Sequence, residues 1–144
     1  MLVVRATSVT DELLDAFENL IPQLKLTFPP PSRSELEALL SVDTSILLIA
    51  RYPNENSPIA GIATLILYRV PTGIRARVED VVVDEAMRGE GIGEALMRYA
   101  LNIARDAGAD GVALTSNPRR EAANRLYQRL GFKSWNTNLY FYKF

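Results

Sequence analysis

The chain has 144 residues, 48% of them hydrophobic, with 17 acidic residues against 16 Lys and Arg and a net charge of -1. That size and apolar share fit one domain over residues 1–144 with a core of its own. The balanced charge excludes the basic footprint that holds a protein on nucleic acid or an anionic membrane, so a small-molecule partner is expected. The sequence contains no Cys and no His, which excludes a disulfide framework, a thiolate nucleophile and a Cys-ligated metal, and no metal is expected. Any catalysis must rest on carboxylates, Tyr, Lys, hydroxyls or the backbone. No apolar run approaches the roughly 20 residues that span a bilayer, and Met1 to Arg5 has no signal-peptide layout, so the expected location is cytoplasmic.

Leu2 to Ala6 reads as a short strand, and Thr10-Asp11-Glu12 starts a helix with an N-cap hydroxyl followed by acids. Leu13, Leu14, Phe17, Leu20, Ile21 and Leu24 follow at helical spacing and end that helix near Leu24. Lys25 to Pro31 includes three consecutive prolines, which stop a helix, and Ser34-x-x-Glu37 reads as a capping box opening a short helix to about Leu40. Thr44 to Ala50 and Ile59 to Arg69 form a hairpin around the turn cluster Pro53 to Pro58. Ile74 to Val83 is a third long strand that alternates at first and ends as Val81-Val82-Val83, half exposed early and buried on both faces late. A glycine-rich loop leads into a helix with apolar positions Ile92, Leu96, Tyr99, Ala100, Ile103 and Ala104, closed by Ala107-Gly108. Gly111 to Thr115 is a fourth buried strand, parallel to the third by a strand-helix-strand crossover. Asn117-Pro118 starts the last helix, with Ala122, Ala123, Leu126, Tyr127 and Leu130 on one face. Phe132 to Trp135 and Leu139 to Phe144 read as two final strands.

The loop Arg88-Gly89-Glu90-Gly91-Ile92-Gly93 carries the functional signal. Three glycines at a helix start cost about 1 kcal/mol each relative to Ala, and what they give in return is access to unpaired backbone N–H groups, a cradle for phosphate. A P-loop needs Lys-Ser/Thr where Glu94-Ala95 stands, and a dinucleotide fold needs Gly where Glu94 stands, so both nucleotide readings fail.

What remains, Val81-x-Val83 followed by Arg88-Gly89-x-Gly91-Ile92-Gly93 and Ala95-Leu96, closely resembles the coenzyme A signature of the GNAT superfamily of N-acetyltransferases. Asn124-x-x-Tyr127-x-x-x-Gly131-Phe132, preceded by Arg120-x-Ala122-Ala123, resembles the second half of that signature at about the expected distance. The resemblance implies an α/β (α+β) fold: a mixed, mostly antiparallel sheet of six to seven strands flanked by about four helices. It implies acetyl-CoA as co-substrate, with the main chain of Val81 and Val83 pairing with the pantetheine arm. Arg88, Gly89, Gly91, Ile92 and Gly93 would hold the pyrophosphate and Asn124 would hydrogen-bond the arm. Tyr127 would be the general acid toward the thiolate. Glu79 would be the general base, directly or through water, with Asp80 beside it.

An alkylamine near pKa 10.4 must lose a proton before it attacks a thioester, so a base is required. Alternation lets only one of Glu79 and Asp80 face the cleft unless a bulge intervenes. Glu90 and Glu94 depart from the family's usual loop, and Arg88, Arg119 and Arg120 are the cations available to offset them. The acceptor, a small-molecule or peptide amine, is expected between the Lys25-to-Pro31 loop and the final strands. Two other classes stay open at this point. One is an acyl-CoA-binding regulatory module without catalysis. The other is an interaction protein, homodimeric or otherwise, using Leu139, Phe141 and Phe144.

Overall fold

A computed structural model describes residues 1–24 and 27–144. Lys25 and Leu26, which begin the expected proline-rich loop, lie outside the described residues. Among the described residues there are five strands, in the order β1 (Leu2–Arg5), β2 (Ser45–Arg51), β3 (Ile59–Val70), β4 (Gly73–Val83) and β5 (Val112–Ala113), and they form one sheet in chain order. β1 to β4 are antiparallel, and β5 runs parallel to β4 at the far edge. The α-helices are α1 (Asp11–Leu20), α2 (Arg33–Leu40), α3 (Ile92–Asp106) and α4 (Glu121–Arg129).

Period-two alternation divides the sheet between two cores. On β2, Ile46, Leu48 and Ala50 face the layer with α3 and Tyr127 of α4. Leu47 and Ile49 face α1 and Leu36 of α2. α1 is fastened through its Thr10 N-cap, whose hydroxyl accepts from Leu13 N, and through Arg51 at the end of β2, whose guanidinium donates at 2.6 Å to each oxygen of Glu12. As expected from the run of apolar residues, the helix continues to Leu24, though its last turn (Ile21–Leu24) tightens to 3-10 geometry.

Several expectations are corrected. The sheet has five strands rather than six to seven: Phe132 to Trp135 and Leu139 to Phe144 have strand-type side chains but pair with no neighbour among the described residues, and pairing is what makes a strand. The strand expected over Gly111 to Thr115 is the two-residue β5, which is half exposed and whose ladder with β4 ends at Arg77 and Ala113. The capping box is two residues earlier than Ser34-x-x-Glu37. Ser32 accepts from Glu35 N and Glu35 accepts from Ser32 N, so α2 begins at Arg33 and Ser34 lies inside it. The last helix starts at Glu121 rather than Asn117, whose side chain instead accepts from Arg119 N and makes a turn of the segment. Tyr99 and Ala122 are exposed, while Met97 is buried in their place.

α3 is held against β3 by a close approach: a Cβ on Gly61 would lie 3.1 Å from Ile92 and 3.2 Å from Leu96. Leu96 is fully buried there. Leu96→Ala is expected to lower the unfolding free energy by about 2–5 kcal/mol, read as a reduced urea midpoint at unchanged slope.

Candidate active site

The site begins with an irregularity in β4. Thr64 of β3 pairs with Glu79 and Ile62 with Val82, so Ala63 stands opposite two residues, Asp80 and Val81. Asp80 takes the extra position in the left-handed region, φ 51°, a conformation that Asp tolerates better than most residues. The bulge is the exception to alternation: Glu79 and Asp80 are not constrained to opposite faces by a regular pleat. Arg77 Nε donates to the Glu79 carboxylate, and Arg77 Nη2 donates to Thr115 Oγ1 at 3.2 Å. Asp80 has no hydrogen bond among the described residues. Desolvation, and then the neighbouring Glu79 charge, push its pKa above the ordinary carboxylate value, with Arg120 pulling the other way.

Beyond Arg77 the β4–β5 ladder stops, so the edge of β4 from Val78 to Val83 has no strand beside it among the described residues. Val81 is buried toward α3 and Val82 toward α1, which is the two-sided burial expected of the Val81-Val82-Val83 run. Two arginines lie on this free edge. Arg120 Nη2 donates to the Val81 carbonyl at 2.8 Å, and Arg88 Nε reaches the Val83 carbonyl at 3.4 Å.

The glycine loop turns from this edge into α3. Gly89 and Gly91 have φ of 90° and 79°, where a side chain would be strained, and a Cβ on either would meet nothing within 4 Å. Gly91 is the N-cap of α3 and supplies no side-chain hydrogen bond, so the first N–H groups of this 15-residue helix are uncapped beside an open surface. That geometry suits a pyrophosphate. Gly93 has a different reason to be glycine: its Cβ would lie 3.1 Å from Leu126 of α4 and 3.7 Å from Val83. Ile92 is buried and anchors the loop in the core.

The two acids that depart from the usual loop are both engaged. Glu90 accepts from the Tyr52 hydroxyl at 2.6 Å, a bond that pushes the Tyr52 pKa up, and Glu94 accepts from Arg98 one turn along α3 at 2.8 Å. The loop is also tied to the α1 layer, since Asn19 donates to Asp84 and Gln23 accepts from Glu85 N, each at 2.8 Å.

α4 closes the site. Tyr127 is buried with its ring edge-on to Phe132, and burial pushes its pKa up while Arg120 opposes that shift. Asn124 Nδ2 donates to the Asn117 carbonyl at 3.0 Å, fastening the start of the helix to the preceding turn. Ser116 Oγ, in the segment leading out of β5, is buried with no hydrogen-bond partner among the described residues. Sequence reasoning brought Glu79, Val81, Val83 and the loop to one edge of β4. It missed Arg120 on the Val81 carbonyl, Arg77 on Glu79 and Tyr52 on Glu90, side-chain pairings that residue spacing does not signal. Among the described residues no group of carboxylates is arranged to hold a metal ion.

The β4–β5 ladder that stops at Arg77, the β4 bulge and the glycine loop at the start of α3 lie together where the two motifs stand in the sequence. The chain belongs to the acetyltransferase (GNAT) family, whose model matches residues 8–132. It is similar to a mycothiol acetyltransferase of Nocardiopsis dassonvillei, 44% identical over 59 residues that make up 41% of this chain and 18% of that protein. It is also similar to an aminoalkylphosphonate N-acetyltransferase of Salmonella typhimurium, 41% identical over 56 residues, 39% of this chain and 36% of that one. The matched segment thus spans well under half of these curated relatives. A Trypanosoma brucei acetyltransferase of known crystal structure superposes with a TM-score of 0.75 at 25% identity, covering 98% of this chain and 99% of that one.

A carboxyl whose pKa is raised by folding favours the folded state at low pH, and that advantage is lost as pH rises through the folded pKa. At neutral pH the ionised Asp80 is therefore a net cost. Asp80→Asn is expected to raise the melting temperature at neutral pH and to give no gain below the ordinary Asp pKa, measured by calorimetry across pH.

Proposed function

We propose that this chain is an N-acetyltransferase that moves the acetyl group of acetyl-CoA to a primary amine of a small molecule or peptide, by direct attack within one complex. The observation that carries the reading is the uncapped, glycine-lined start of α3 next to the unpaired edge of β4. Gly89, Gly91, Ile92 and Gly93 offer backbone N–H groups to the pyrophosphate, and Arg88 adds a cation. Tyr52 and Arg98 hold the carboxylates of Glu90 and Glu94, so the loop's positive end is not cancelled by its own acids. The backbone of Val81 and Val83 pairs with the pantetheine arm once Arg120 gives up the Val81 carbonyl. Asn124 donates one Nδ2 hydrogen to the Asn117 carbonyl, and its Oδ1 and second N–H remain for a hydrogen bond to the arm.

The two neighbouring carboxylates divide the proton work. Glu79, the base implied by family resemblance, is held by the Arg77 guanidinium. Asp80, with its raised pKa, accepts the proton of the ammonium form, and Glu79 strengthens that basicity across one peptide unit. The freed amine lone pair attacks the thioester carbonyl, whose developing charge is held by a backbone N–H near Val81, and the carbon–sulfur bond breaks. Tyr127 donates to the departing thiolate, and the second proton, lost by the attacking nitrogen as the amide forms, returns through solvent to the Tyr127 oxygen. With a phenol near pKa 10 against about 8.5 for a thiol the transfer is uphill by roughly 2 kcal/mol, and burial makes it steeper, so the contribution is modest.

Calorimetric titration with acetyl-CoA tests the binding half, and a chain that does not bind it ends the proposal. A thiol-release screen over amino sugars, polyamines, aminoglycosides, amino acids and peptide amines tests the transfer. Tyr52→Phe is expected to weaken acetyl-CoA binding about threefold by releasing Glu90, with Tyr52→Phe/Glu90→Gln restoring it. Asp80→Asn is expected to lower kcat/KM about 100-fold or more and abolish its alkaline rise, whereas Glu79→Gln lowers it less and shifts the rise to lower pH. The reverse order assigns the base to Glu79. Tyr127→Phe is expected to slow turnover about tenfold with acetyl-CoA affinity unchanged.

A further inference from the structure

From Gly111 to Asn117 the chain alternates between exposed and half-buried residues, and it keeps that alternation after the β5 ladder has ended at Ala113. Val112 and Leu114 pack against the core formed with α3 and α4, and Ser116 is the next residue of the half-buried set. By period two that position suits a third apolar side chain. It holds a hydroxyl instead, and Ser116 Oγ is shut off from solvent, the one such side-chain atom with no hydrogen-bond partner among the described residues. The polar groups on either side of it are engaged. Thr115 Oγ1 accepts from Arg77, the Asn117 carbonyl accepts from Asn124, and Asn117 Oδ1 accepts from Arg119 N. A buried hydroxyl left unbonded destabilises a fold, so its retention asks for a partner from outside the chain.

Its place in the gap between β4 and the segment after β5 identifies that partner. The two strands run parallel and their last paired residues are Arg77 and Ala113. Ser116 therefore stands three residues along one side of the gap and Asp80 three residues along the other, each about 10 Å of extended chain from the end of the ladder. Arg120 crosses the gap one residue further on, at the Val81 carbonyl. With the pyrophosphate at Gly89 to Gly93 and the arm along Val83 and Val81, the thioester arrives at the level of Asp80 and Ser116. The faces of the gap differ. Tyr127 belongs to the α3–α4 core as Val112 and Leu114 do, and its hydroxyl has no hydrogen bond among the described residues. Arg77, Glu79 and the exposed Thr115 are linked on the other face. Two free hydroxyls on one face and the carboxylate of Glu79 on the other suit a thioester whose sulfur is turned toward α4 and whose carbonyl carbon is open to an amine from the side of Glu79.

We infer that Ser116 Oγ donates a hydrogen bond to the thioester sulfur and holds it as the carbon–sulfur bond breaks, an assignment that rests on the acetyl-CoA reading of this site. Ser116 keeps its own proton. The electron pair of the broken bond stays on sulfur, and the proton that completes the thiol is the one Tyr127 supplies. Burial makes Tyr127 a reluctant acid, and a second hydroxyl on the same face steadies the thiolate until that uphill transfer is complete. The hydrogen bond strengthens as charge develops on sulfur, so it speeds transfer without tightening the binding of acetyl-CoA.

Ser116→Ala is expected to raise the melting temperature of the chain without ligand, because it removes a buried hydroxyl that has no partner in the fold. It is expected to lower kcat and kcat/KM together by about tenfold or more, with the calorimetric affinity for acetyl-CoA unchanged. Bound CoA gives a readout independent of turnover. Its thiol, followed by thiolate ultraviolet absorbance, is expected to ionise at higher pH on Ser116→Ala than on the unaltered chain. Equal rates or an equal thiol titration, in a chain that does transfer acetyl groups, overturn the inference and leave the acetyl-CoA reading standing, whereas a chain that binds no acetyl-CoA removes both. A lower melting temperature for Ser116→Ala also overturns it, since the hydroxyl then serves the fold.

Discussion

The extra residue in β4 is the constraint from which the rest of the architecture follows. Up to Val78 the even-numbered residues of that strand, Ala76 and Val78, face α3. After the bulge the parity is reversed, so Val81 faces α3 and Val82 faces α1. A regular strand with this sequence would send Val81 and Val82 to the opposite cores. Holding Asp80 in the left-handed region costs on the order of 1–2 kcal/mol, and the correct burial of the two valines offsets it. The same irregularity lies just beyond the point where the β4–β5 ladder stops, so Glu79 and Asp80 stand in the stretch of β4 whose outer edge is unpaired among the described residues.

Around that edge the protein arranges charge by pairing rather than by net sign. The loop carries Arg88 and two glutamates, and each glutamate is held by a partner outside the loop or one turn along the helix. Glu79 is matched by Arg77, and Arg120 is matched to a carbonyl. Left without a hydrogen-bond partner among the described residues are the Asp80 carboxyl, the Tyr127 hydroxyl, the first amides of α3 and, behind them, Ser116 Oγ. In a chain with no His and no Cys, perturbing a carboxyl upward is the available way to place a proton acceptor closer to neutral pH.

Much of this was legible in the residues. The four antiparallel strands, the parallel edge and the two long helices were signalled by periodicity, because their apolar positions are fixed by two large cores. The glycine loop was legible because three glycines at a helix start are costly unless bare backbone is needed there. The failures have physical causes too. Ser32 and Ser34 each stand three residues before a glutamate, and only the geometry of Pro31 and the helix decides between the two boxes. Asn117 looked like a helix start because its side chain can cap, and here it makes a turn instead. Phe132 to Phe144 has the composition of two strands but lacks a partner within the described chain, and composition does not report partners. The engagements of Arg120 and Tyr52 span 38 or more residues, a distance over which pattern carries no information.

Gly93 makes the two halves of the site a single mechanical body. With no side chain there, the first turn of α3 sits in direct van der Waals contact with Leu126, the residue next to Tyr127. A displacement of the phosphate-facing loop therefore pushes on the helix that carries the tyrosine, and packed interiors pass on such a push rather than absorb it. Whatever the loop grips, its fit is felt at the phenol, and the segments free to diverge for a new acceptor are those outside this contact, in the α1–α2 layer and the C-terminal tail.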